Sequence, residues 1–336
     1  MIGKGKKSTG LIFLYGETHG VERILDRQLE IWGEYYHGKN MRHLFIELGY
    51  FSAEFLNLWM KSDNDAIVSE LFADWAGTPG HVPQTLAFYK ALKKAFPETV
   101  FHGVDIGHQA QSTGERFLRY LRDNEAQDSE RHSLALEAIE QGKVFNQKRE
   151  ADPSAEPDWE YRETKLTENF IREFDRLADR NVMGIFGSAH TAFGRMKKPV
   201  LSEAPTMAER LRERYGASLQ VTDLSALALI VDPIKTETIF LNGKTYERSF
   251  FGTDSRVSRN IVSMSCWRLE NAYDDFSGKP TNEDVLPCNN YPMAIEPGQV
   301  FIIDIALADG SAMRRFYRSD GKEWQGMPTT TGFDAD

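Results

Sequence analysis

The sequence predicts an α/β fold, a mainly parallel central sheet with helices on both faces, and two observations carry that prediction. Apolar runs bounded by glycine recur through the first two thirds of the chain, and they are continuous rather than alternating. That is the pattern of strands covered on both faces. Between them lie segments with apolar residues at helical spacing, so strand and helix alternate along the chain. The 336 residues, 41% hydrophobic and 12% aromatic, supply a core for one large domain or two ordinary ones and set aside a disordered or fibrous class.

The strands read as Leu11–Tyr15, His43–Leu48, Thr99–Ile106 and Val182–Phe186, with Leu219–Val231 a fifth strand and its neighbouring turn. Val21–Tyr36 places Ile24, Leu25, Leu29, Ile31 and Trp32 near helical spacing. Ser52–Lys61 and Ala66–Trp75 also read as helices. Pro83–Phe96 opens on a proline suited to a first helical turn and stops before Pro97. From His108 to Leu177 the chain is long, charged and helical in pattern, a helical insertion before the fourth strand, broken by a loop at Ala151–Asp158.

The texture changes after Asp232-Pro233. Asn242-Gly243 between extended runs in Thr236–Phe251 signals a hairpin, and Val300–Leu307 reads as a buried strand. The polar tail from Arg318 onward is expected to fray. The predicted organisation is an α/β domain over 8–235 and a β-containing extension over 236–336, packed on the same domain. There are no repeats and no low-complexity tracts.

Net charge is −10, which argues against a chain built to bind nucleic acid phosphates. Cys266 and Cys288 lack any CxxC spacing and read as reduced thiols. The N-terminal MIGKGKKSTG is basic, but the apolar run behind it stops at Gly16-Glu17, too short for a signal peptide or a membrane span. The expectation is a cytoplasmic protein acting on a small-molecule substrate, with no nucleic acid and no membrane partner. Oligomeric state, cofactor and metal stay open.

In parallel α/β sheets, functional groups gather at the carboxyl ends of strands, where loops and helix N-termini converge on one rim. Reading each apolar run to its end yields Glu17 and His19, then Glu47, then Asp105, then Ser188 and His190. Each has a plain structural reading. Gly16 and Gly20 suit a turn, Thr18 suits a helix cap, Asp105 suits another, and Arg23 or Arg42 suits a partner for Glu47. Four strand ends carrying polar or ionisable groups on one rim favour a site over four independent accidents. Two imidazoles beside carboxylates support a general base, a divalent metal, or a Ser188–His190 nucleophile. The last lacks the GxSxG elbow. HExxH, Walker A and GxGxxG motifs are absent.

Gly16-Glu17-Thr18-His19-Gly20, Phe45-Ile46-Glu47, Gly103-Val104-Asp105, Arg162-Glu163 followed by Leu166-Thr167-Glu168-Asn169, and Gly187-Ser188-Ala189-His190 together resemble the erythromycin esterase/ChaN-like superfamily, with a more distant likeness to the Tiki/TraB metalloproteases. The likeness spans Leu11–Thr191. It implies an α/β fold with a deep cleft at the strand ends. It also implies a hydrolase of an ester or related acyl bond: His19 as the base that activates water, Glu17 and Glu47 orienting it or the water, Arg162 binding or polarising the substrate, and His190 contributing from the opposite wall. Two departures stand out: the Glu-to-His spacing of the first motif is one residue shorter than in the esterases, and Gly187 stands where their last motif has a first histidine. Three readings follow: a hydrolase of another ester, a metal-dependent hydrolase using His19, His190 and Glu17 or Glu47, or a ligand-binding protein, haem foremost, without catalysis.

Overall fold

A computed structural model describes residues 7–152, 155–193, 204–254, 261–324 and 327–335. The chain forms two compact units, Met1–Ser225 and Ala226–Asp336.

The first unit is built on five parallel strands. β1 (Ile12–Glu17) leads into α1 (Glu22–Gly38), β2 (His43–Gly49) into α2 (Tyr50–Met60), α3 (Ala66–Asp74) and α4 (Pro83–Ala95), and β3 (Val100–Asp105) follows. A π-helical turn at Ala110–Gly114 then opens a run of three helices, α5 (Glu115–Asp123), α6 (Glu130–Ala151) and α7 (Trp159–Arg176), before β4 (Val182–Gly187). α8 (Ser188–Thr191), α9 (Met207–Tyr215) and β5 (Leu219–Asp223) complete it. The sequence-predicted loop at Ala151–Asp158 falls partly on residues 153–154, outside the described residues; Asp158 caps α7 by accepting the Tyr161 N–H. Beyond Asp223 the fifth apolar run becomes a 3₁₀ segment, Ser225–Leu229.

The strand order is β3-β2-β4-β1-β5. β4, delivered after the helical run, is therefore seated between β2 and β1. Its register with β1 runs from Ile12↔Val182 to Glu17↔Gly187, which sets the ends of the two strands level. Alternate residues of β1 meet different helices, as strands covered on both faces must. Phe13 lies 4.9 Å from Tyr35 of α1 between ring centroids, and the Tyr15 and Tyr35 hydroxyls are 2.7 Å apart. Ile12 and Leu14 belong instead to a buried cluster with Leu166, Phe170 and Phe174 of α7 and Met207 and Leu211 of α9. The α1 stripe differs in one position from its sequence reading: Leu29 is only partly buried, whereas Gln28 is fully buried beside Ile24, Leu25, Ile31 and Trp32.

The second unit is antiparallel: β6 (Lys235–Leu241), β7 (Lys244–Asp254), β8 (Ile261–Leu269), β9 (Thr281–Pro287), β10 (Val300–Leu307), β11 (Ala312–Arg318), β12 (Glu323–Trp324) and β13 (Met327–Phe333). The order is β12-β13-β11-β10-β8-β7-β6, with β9 also on β13. β6 and β7 turn on Asn242-Gly243, both at positive φ (52° and 79°), the conformation a two-residue hairpin of this hand demands. β10 feeds two cores, Val300 and Ile302 into one and Phe301, Ile303 and Ile305 into the other. The tail is not frayed. β13 pairs with β11, β9 and β12, and Thr330 is wholly buried with its hydroxyl 2.7 Å from that of Tyr291. Threonine favours strands, and here strand pairing satisfies a segment whose composition reads as solvated.

Candidate active site

β1, β4 and β2 are neighbours, so the side chains that leave their carboxyl ends must meet. At the end of β2 the pairing with β3 shifts register between Ile46 and Gly49, and a bulge of this kind re-aims a side chain. Glu47 lies within it.

Glu47 is the hub. Its Oε2 accepts the Gly187 backbone N–H at 2.6 Å. Its Oε1 accepts from Arg162 Nη2 at 2.7 Å and faces His190 Nε2 at 3.2 Å and His19 Nε2 at 3.8 Å. The partner of Glu47 is thus Arg162, on α7, and not Arg42, which pairs with Glu98. Burial disfavours charge on Glu47, but the His190, Arg162 and His19 charges outweigh it and hold the carboxyl well below the usual range.

Arg162 also binds Asp105 through two bonds, Nε to Oδ1 at 3.1 Å and Nη2 to Oδ2 at 2.6 Å. Asp105, only 1% exposed, accepts the Ile106 N–H at 2.8 Å and stands 3.2 Å from His108 Nε2. It closes no helix start; it holds a guanidinium. Its carboxyl is pushed down despite burial by Arg162 and His108.

The two histidines have different settings. His190 is buried, with Nδ1 against Glu163 Oε1 and Nε2 against Glu47. Glu163 Oε2 in turn accepts the Met207 N–H at 2.6 Å, in the first turn of α9, where backbone N–H groups lack helical partners. Burial opposes charge on His190, yet Glu47 and Glu163 raise it to about 10. His19 hydrogen-bonds Glu17 Oε1 through Nδ1 at 2.7 Å. It too is raised against burial, to about 9, by Glu17 and Glu47. Its side chain is 34% exposed, against 6% for His190 and 11% for Glu47. His19 and, at the Asp105 end, His108 are the members of the network that solvent reaches.

Gly187 is fixed by close approach. A Cβ there would lie 3.1 Å from His19 Nε2 and 3.3 Å from Glu47 Oε2.

No family model matches the chain, and no curated protein does. Solved structures do. The chain is similar to a Bacillus cereus protein from structural genomics at 13% identity, over 64% of this chain and 66% of that one, with a TM-score of 0.42. It is similar to an erythromycin esterase mutant in its open conformation at 12% identity, over 69% and 73%, with a TM-score of 0.48. A succinoglycan biosynthesis protein matches at 14% identity over 63% and 65%, with a TM-score of 0.43. The chain spans a little under two thirds of the length of the first and third of these.

Glu17, His19, Glu47, Asp105, Arg162 and His190 fall in this one network, whereas Ser188, the other strand-end residue named in the sequence, opens α8, and the Nδ1 of His190 faces Glu163. Three partners were not singled out. Glu163 was visible only as the residue beside Arg162. His108 follows Asp105 by three residues, a weak signal. Gln28 donates to Glu17 Oε2 from α1, and its one signal was a polar residue on an apolar helical stripe. Among the described residues, no group of three or more His, Cys, Asp and Glu side chains could hold a metal ion, and no helix is long and apolar enough to cross a membrane.

Proposed function

We propose that the first unit is a hydrolase of an ester or related acyl bond, with His19 as general base. The single observation behind this reading is the position of His19: its Nδ1 is held by Glu17, and its partly exposed ring adjoins the buried Glu47 and, through it, the buried His190. With Nδ1–H held, the deprotonated ring offers Nε2 to a water molecule. Nε2 takes a proton as the water oxygen bonds to the acyl carbon, and gives it to the departing alkoxide as the acyl–oxygen bond breaks. Glu17 and Glu47 stabilise the imidazolium formed between. Arg162, committed to Glu47 and Asp105, positions Glu47, and His190 with Glu163 supports it from the other side. In the metal-dependent alternative, with His19, His190 and Glu17 or Glu47 as ligands, Glu47 Oε1 would have to be shared with the Arg162 guanidinium, and both Glu17 oxygens already accept hydrogen bonds, from His19 and Gln28.

The test is hydrolysis of p-nitrophenyl acetate and a panel of esters. The wild type should speed up as pH rises through about 9, where His19 loses its proton. His19→Ala should lose about 100-fold or more, with its unfolding temperature nearly unchanged above pH 9, where the wild-type ring has lost its charge. A variant that keeps full activity removes His19 from the role of base.

A further inference from the structure

Helix α1 buries a stripe of Ile24, Leu25, Ile31 and Trp32, and in the middle of it stands Gln28, 0% exposed. Its amide Nε2 donates to Glu17 Oε2, the oxygen that His19 leaves over. A carboxylate only accepts, so the NH₂ end of the amide must face it. That orientation turns Oε1 away, where it is buried with no hydrogen-bond partner among the described residues. An unpartnered buried acceptor costs stability, and an apolar side chain of the same size would fill this stripe without that cost. The residue therefore serves something other than packing.

We propose that Gln28 is a positioning residue for His19. It pins one oxygen of Glu17 so that the other stays on Nδ1 of His19, which fixes the imidazole tautomer and leaves Nε2, 3.8 Å from Glu47 Oε1, without the proton. The row runs Gln28 to Glu17 to His19, a donor holding a carboxylate that holds the ring. This deepens the hydrolase reading and rests on it for its catalytic consequence; the tautomer does not depend on catalysis.

Gln28→Met keeps the volume of the side chain and removes both the donor and the orphaned acceptor. Three readouts on the full chain decide the matter. The unfolding temperature should hold or rise. Imidazole ¹⁵N NMR above pH 10, where the ring is neutral, should show His19 wholly Nδ1–H in the wild type and an added Nε2–H fraction in Gln28→Met. On p-nitrophenyl acetate, kcat should fall about tenfold or more with KM little changed. Gln28→Leu should repeat the tautomer result. An unchanged tautomer, or a variant that loses stability or does not fold, makes Gln28 structural and overturns the proposal. A shifted tautomer in a wild type that hydrolyses no ester supports the positioning role while removing the hydrolase reading. An unchanged tautomer in an active wild type does the reverse.

Discussion

Arg162 reaches Glu47 at 2.7 Å and Asp105 at 2.6 Å with the same nitrogen, Nη2, so one guanidinium compensates two carboxylates that are otherwise nearly sealed from solvent. Removing it leaves Glu47 to His190 and His19, and Asp105 to His108 alone. Arg162→Met is expected to lose ~3–5 kcal/mol of stability, the range for breaking a buried pair. Adding Asp105→Asn should restore part of the loss. Urea unfolding of the single and double variants measures this, and a loss in Arg162→Met within the range of exposed pairs, about 1 kcal/mol or less, would show that the network carries little of the fold.

Gly187 has a backbone φ of −51°, which any residue adopts, so its constraint is space and not conformation. Gly187→Ala brings a methyl to 3.1 Å from His19 Nε2, and that nitrogen must give way by a few tenths of an ångström or more. Ester hydrolysis is expected to fall about tenfold or more, since small misplacements of catalytic groups are costly, while the unfolding temperature stays close to wild type. Unaltered kinetics would mean that His19 Nε2 is not where the reaction takes place.

Stability should peak near pH 6.5. His19 and His190, raised from 6.5 to about 9 and about 10, contribute stability that is full below pH 6.5 and lost as pH climbs through those values. His43 works the other way. Burial and the facing His102, 3.0 Å away, push it down to about 4, so the unfolded chain binds the extra proton between pH 6.5 and 4 and stability falls with acid. Glu47 and Asp105, held low, add a loss at still lower pH. A thermal scan should find the unfolding temperature roughly 5 °C or more lower at pH 9.5 than at 6.5. His43→Asn should flatten the acid side alone. A curve that is flat or rising from pH 6.5 to 9 contradicts the charged imidazoles.

The elements of the first unit were legible because burial on two faces leaves a mark that one sequence shows: a run such as Ile12-Phe13-Leu14-Tyr15 with no polar break. The second unit was legible where a turn demands special residues, at Asn242-Gly243. It was not legible at Met327–Phe333, where threonines buried by pairing look like a solvated tail. Glu163 and Gln28 escaped for a related reason. Each is a polar side chain on a helix, and whether such a residue meets water or a buried carboxylate depends on which strand end lies beneath it.

By itself the sequence determined that Glu17, His19, Glu47, Asp105 and His190 follow apolar runs, and so stand at strand ends on one rim. Only the tertiary structure decided how they are joined. Inserting β4 between β2 and β1 brings residues 140 positions apart, Glu47 and Gly187, to 2.6 Å. That proximity is a property of strand order, which local patterns of burial do not encode. The same order sets His190 inside and leaves His19 partly exposed beside Glu47, and that difference in exposure between two histidines on one carboxylate is what turns a rim of ionisable groups into a candidate site.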